Sequence, residues 1–189
     1  MNLELILRGV FLGVGLSADA FAVSMTNGFN QPKADIKKAL LIAGAFGVFQ
    51  GAMPLIGYAV GSAVLGSLEK VLPWVSLVIL AFLGGKSIKE GLSKGDCAEV
   101  KALTFAVVLG QAVATSLDAL SVGFTFADYK FYEAIIASAI IAVETFAICL
   151  MGVWIGKKFG DKFGNKAEIF GGIILILIGL EIFITKTFF

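Results

Sequence analysis

The chain has 189 residues, of which 58% are hydrophobic and 15% charged, with a mean hydropathy of +0.94. A water-soluble domain carries roughly 25% charged residues, so this composition excludes a soluble globule, and a net charge of +1 gives no basic surface for a nucleic-acid partner. The absence of histidine excludes His-based zinc or copper sites and any His general base.

Apolar runs of about 18 or more residues read as membrane spans, and six can be marked out along this chain. The first covers about residues 3–27 and continues through Asp19 without the short apolar core of a cleaved leader. A loop over 28–38 leads to the second span, about 39–65, and a short turn with Glu69 and Lys70 leads to the third, about 72–86. The longest polar stretch, 87–101, precedes the fourth span, about 102–126. A turn with Asp128, Lys130 and Glu133 introduces the fifth, about 134–155, and a basic loop over 157–166 introduces the sixth, about 169–185. None of the loops is long enough for a soluble domain. Cys97 falls in a loop and Cys149 in a span, which argues against a disulfide and against a cysteine metal pair.

Lysine and arginine divide unequally between the two ends of these spans. Arg8, Lys70, Lys130 and Lys186 lie on one side, and the other eleven of the 15 lie in or beside the three remaining loops. The richer side is expected to be cytoplasmic, which puts both termini outside an inner (plasma) membrane. The stretch LSADAFAVS, 16–24, returns as TSLDALSVG, 115–123, each with one carboxylate, Asp19 and Asp118. Gly57 and Gly61 in the second span are matched by Gly152 and Gly156 in the fifth, and Gly84 in the third by Gly179 in the sixth. Each half has three spans, an odd number, so the second half starts on the opposite face of the bilayer. The expected fold class is therefore all-α, a polytopic membrane protein of six transmembrane helices in a 3+3 inverted-topology repeat. Residues 1–94 hold the first repeat with the start of the connecting loop, and 95–189 the second, together forming one membrane domain. Transporters of that architecture bind substrate near the midplane, between the repeats.

A carboxylate in hydrocarbon costs a few kcal/mol or more, so two at matching repeat positions call for a function, and cation binding is the natural one. Small apolar neighbours surround Asp19, whereas Thr115 and Ser121 share the helix face of Asp118. Ser17 and Ser116 point elsewhere in an unbroken helix and could join the site only if the helix is locally unwound. Gln50 in the second span and Glu144 in the fifth are near-equivalent polar positions, Glu144 as ligand or proton carrier and Gln50 as a carbonyl-oxygen donor. Asn27, two turns beyond Asp19, is placed at the inner mouth. Lys86 and Glu181 read as side chains reaching the two interfaces. The candidate ligands are thus Asp19, Asp118, Glu144, Gln50, Thr115, Ser121 and Asn27. Oxygen donors of these kinds suit hard divalent ions. The sequence contains no Walker loop, so a coupling ion or the membrane potential has to drive uphill transport. Protons compete with metal for carboxylate oxygens, which suffices physically for proton antiport.

The two Asp motifs, PLIGYAVG, LGGKSIKEG and NKAEIFGGIILILIG together resemble the MntP family of bacterial manganese efflux pumps, over essentially the whole chain. The resemblance implies an inner-membrane exporter related to the lysine-exporter superfamily, with Mn²⁺ as transported substrate, no cofactor, and membrane-embedded aspartates matching Asp19 and Asp118. Relatives of this type can carry Glu where this chain has Gln50, and Glu144 is the candidate replacement for that charge. Other readings are export of another divalent ion or small solute on the same fold, or an intramembrane aspartyl enzyme. The only arginine, Arg8, lies near the outer surface, which disfavours an amino-acid substrate. An aspartyl enzyme would need both carboxyls on one water. Counted from the span midpoints, the two aspartates differ in depth by roughly 10 Å, which leaves open whether they bind one ion together or in turn.

Overall fold

The computed structural model describes residues 3–32, 34–60, 71–93, 103–126, 129–163 and 165–188. Among the described residues the chain forms six α-helices and no strand: α1 (Leu3–Asn30), α2 (Ile36–Val60), α3 (Leu72–Ser93), α4 (Phe105–Val122), α5 (Phe131–Phe163) and α6 (Asn165–Phe188). A short 3-10 turn, Gly123–Phe126, follows α4 directly. Among the described residues, four helical stretches are long and apolar enough to cross a membrane, Leu5–Asn30, Ile36–Val60, Phe105–Val122 and Phe131–Phe159, and a fifth apolar stretch, Ile169–Thr185, is shorter. Large apolar side chains such as Phe11, Phe82 and Trp154 are at least 70% exposed, as expected of a surface that meets lipid rather than water.

Several helices run past the bounds read from hydropathy. The polar stretch after the third span is helical as far as Ser93, and the basic loop after the fifth is helical as far as Phe163. Hydropathy marks where hydrocarbon ends, but lysine is a good helix former and neither segment contains proline, so the backbone ladder continues into the polar region. Helix α2 begins three residues earlier than expected because Asp35 caps it, its Oδ1 accepting the Lys38 N–H at 3.0 Å. At the start of α5, Glu133 Oε2 accepts the Lys130 N–H at 2.9 Å. Helix α4 starts at Phe105 and gives way to the 3-10 turn at Gly123, within the predicted span. Cys149 is buried; Cys97, Gly61, Glu69, Lys70 and Asp128 lie outside the described residues.

Glycine contacts give the packing and its directions. A Cβ at Gly28 of α1 would collide with the Val153 carbonyl and lie 3.0 Å from the Gly156 Cα of α5. One at Gly152 would lie 2.9 Å from the Phe21 carbonyl oxygen. Gly13, further back on α1, faces Ile141 and Glu144 of α5, so α1 and α5 are parallel. Gly47 and Gly51 of α2 meet α5 in the reverse order, which makes that pair antiparallel. Gly57 of α2 and Gly123 press backbone on backbone, and Gly84 of α3 does the same with Gly172 of α6. Small residues are what allow such close helix approach where lipid offers no hydrophobic drive to associate. The lysine-bearing ends of α2, α3 and α5 gather at the C-terminal end of α1, where the Lys157 ammonium donates to the Ala34 carbonyl.

Candidate functional site

Helix α4 crosses the bundle from the C-terminal end of α1, where Gln111 meets Asn27, to the C-terminal end of α2, where Leu120 and Gly123 meet Gly57. It is therefore antiparallel to α1. The Asn27 amide donates to Gln111 Oε1 at 2.7 Å, with both residues buried, and this bond joins the two helices. Asp19 lies eight residues back from Asn27 and Asp118 seven residues on from Gln111, both in the same direction. Through α2, where Gln50 meets Leu16 and Gly57 meets Leu120, Asp118 lies roughly 10 Å nearer the N-terminal end of α1 than Asp19 at about 1.5 Å per residue, in line with the depth difference expected from span midpoints.

Orientation follows from the same geometry. Seven residues bring Asp118 to within roughly 20° of the Gln111 direction, so it lies on the α4 face turned to α1. Eight residues turn Asp19 by roughly 80° from Asn27, and both aspartates are partly buried. Asp118 Oδ1 also accepts the Ala119 N–H at 2.7 Å. Thr115 is buried, and its hydroxyl donates to the Gln111 carbonyl at 3.0 Å, which leaves its oxygen lone pairs for another partner. Ser121 is half-buried on the same helix. Ser17 and Ser116 bond to the carbonyls of Val14 and Ala112 on their own helices, away from the aspartates.

Gln50 is fully buried, and its amide donates to the Leu16 carbonyl at 2.9 Å, one turn from Asp19, while its Oε1 is buried with no hydrogen-bond partner. Pro54 sits four residues on in α2 and has no N–H. The intrahelical bond to the Gln50 main-chain carbonyl is therefore missing where the side chain crosses to α1, a consequence that hydropathy does not register. Glu144 reaches α1 at Gly13, where a Cβ would collide with its Oε2. Gly13 is six residues before Asp19, roughly 120° around the helix, so Glu144 approaches another face of α1. Among the described residues, no three acidic or cysteine side chains converge as a metal nest.

Asn27 is sealed inside the bundle instead of lining a mouth. Its partner Gln111 is a buried polar residue absent from the candidates drawn from the sequence. The signal was present, since Gln111, Thr115 and Asp118 are spaced i, i+4, i+7 on one face. One turn beyond Asn27, Asn30 donates to Ser87 Oγ of α3 at 3.1 Å. The Oδ1 atoms of both asparagines are buried without a hydrogen-bond partner. Lys86 and Glu181 are exposed.

Known proteins share this sequence over nearly its full length. The model of the Mntp family, described as "Putative manganese efflux pump", matches residues 33–183. A protein of Methanosphaera stadtmanae named "Putative manganese efflux pump MntP" is 39% identical over 173 residues, covering 92% of this chain and 96% of that relative. Relatives from Clostridium botulinum and Methanosarcina mazei, given the same description, are each 41% identical, covering 94% and 93% of this chain and 94% of their own lengths. No solved structure matches the chain.

Proposed function

The chain belongs to the Mntp family, and we propose that it is a secondary transporter that exports Mn²⁺ from the cytoplasm of the cell whose inner membrane it spans. The observation that carries this reading is the placement of Asp19 and Asp118, both partly buried, on antiparallel helices joined by the Asn27–Gln111 bond, one from each half of the chain. Two carboxylates along one such interface can take up a divalent ion, together or in turn, and neutralise it inside the membrane. In this reading Thr115 and Ser121 on α4 and the Oε1 of Gln50 supply neutral oxygens, a donor set suited to a hard divalent cation. Glu144, set apart on another face of α1, is the acid available to carry a proton in exchange.

The helix pairing supports the inverted repeat. Exchanging the first three helices for the last three turns the α1–α5 packing into the α4–α2 packing, both made by glycine contacts, and leaves α3–α6 as it is. Such a pseudo-two-fold places α1 and α4 as equivalents around the ion, and alternating access follows from rocking one half against the other. The lysine-rich end of the bundle is cytoplasmic and both termini are outside.

Reconstitution in proteoliposomes tests the reading. Asp19→Asn or Asp118→Asn is expected to abolish Mn²⁺ flux while the purified protein keeps its helical content and elutes as a single species. Flux retained by either variant would overturn the assignment of the pair. Flux that ignores an imposed pH gradient would remove the proton from the mechanism.

A further inference from the structure

The geometry points to a second, uncharged cation site at the C-terminal end of α1, beside the lysine-bearing ends of α2, α3 and α5, made by the side-chain oxygens of Asn27 and Asn30. It rests on the transport reading above, which supplies the ion. Asn27 is fully buried, with its amide nitrogen committed to Gln111 and its Oδ1 left without a partner. Asn30 repeats the pattern, with its nitrogen on Ser87 Oγ and its Oδ1 buried and unpartnered. Two buried acceptors without donors are costly to leave unmet, and here they come as a pair. The residues are three apart, so they are neighbours one turn apart on the α1 surface.

Packing holds the pair in place. Gln111 of α4 and Ser87 of α3 each take up an amide nitrogen, which turns both oxygens away from those partners. Helix α6 closes over the site at Gly171, where a Cβ would lie 3.2 Å from Asn30 Oδ1 and 2.6 Å from the Thr26 methyl. Neutral carbonyl oxygens are ligands for hard divalent cations. Without charge, they replace part of the hydration shell and still release the ion, the balance that stepwise passage requires. The position agrees: Asn27 and Asn30 lie about 12 to 16 Å past Asp19 along α1, between the lysine-rich end and the aspartate pair. We assign the amide pair as the station an ion occupies before it reaches the carboxylates, with Gln111 and Ser87 as positioning residues.

Titration of the purified full chain in detergent with Mn²⁺, reading the free ion by its paramagnetic resonance signal, tests this. The wild type is expected to bind in a tight and a weak phase. Asp118→Asn removes the tight phase and Asn30→Ala the weak one. Asn30→Asp keeps the shape, lets the Ser87 hydroxyl donate, and adds charge, so the weak phase strengthens by roughly tenfold or more. This gain remains readable if Asn30→Ala does not fold. A single phase in the wild type, or a weak phase that neither Asn30 variant alters, would overturn the site and leave the two oxygens to an ordered water. Failure of the transport reading has a different signature, a tight phase untouched by Asp118→Asn.

Discussion

Single residues divide here by what their polar atoms already touch. Asp118 lies on the α4 face turned to α1, whereas Glu144 meets α1 at Gly13, roughly 120° around that helix from Asp19. Glu144→Gln is therefore expected to change Mn²⁺ affinity severalfold at most, while Asp118→Asn abolishes tight binding; titration of the two purified variants side by side checks the contrast. If proton exchange runs through Glu144, the same Glu144→Gln protein binds Mn²⁺ but transports it without response to a pH gradient. Gln50 holds the Leu16 carbonyl with its nitrogen, and its unpartnered oxygen is what the proposed ligating role rests on. Gln50→Leu removes one inter-helix hydrogen bond, worth about 1 kcal/mol. A lower thermal midpoint together with weakened Mn²⁺ binding is the expected result, and an unchanged affinity would confine Gln50 to the structural role.

Several helix pairs approach backbone to backbone at glycines. Gly123 lies against the Pro54 carbonyl and the Gly57 Cα, so a methyl group has nowhere to go. Gly123→Ala is expected to cost about 1 to 3 kcal/mol and to push α4 from α2, carrying Asp118 with it. Gly44, also helical, has open space within 4 Å of where an added Cβ would sit, so Gly44→Ala is expected to be neutral or stabilising by up to about 1 kcal/mol. Thermal unfolding in detergent separates the two substitutions. Equal losses would show that the Gly57–Gly123 contact does not set the spacing of these helices.

At the scale of the molecule, the lysine-rich ends of α2, α3 and α5 lie together at one end of the bundle, beside the last turn of α1. The orientation proposed from that asymmetry puts the C-terminus outside. A fluorescent protein fused there, of a kind that matures only in the cytoplasm, is expected to stay dark, while an alkaline phosphatase fusion is expected to be active. The reverse pattern would invert the transport direction assigned to each end. The amide pair of Asn27 and Asn30 would then face the exit and the aspartates the entry, so this measurement also orders the two stations.

Much of this was legible in the chain itself, because lipid imposes simple demands. Apolar runs of span length, the unequal lysines and the recurring Asp motif located the helices and singled out Asp19 and Asp118. Helix ends were less legible, since hydropathy reports where hydrocarbon stops, and lysine-bearing helix continues beyond it to Ser93 and Phe163. Relative depth was legible only as an expectation from span midpoints, because nothing local to α1 or α4 says how far one slides along the other; contacts between distant segments, Asn27 with Gln111 and Gly57 with Leu120, fix it. The same holds for Glu144, which periodicity placed at membrane depth and only packing against Gly13 turned away from the aspartates. Sequence alone determined which segments are apolar enough for a membrane and where carboxylates recur within them, because these depend on composition and period. The tertiary structure decided which of their side chains meet, because that depends on register between helices far apart in the chain.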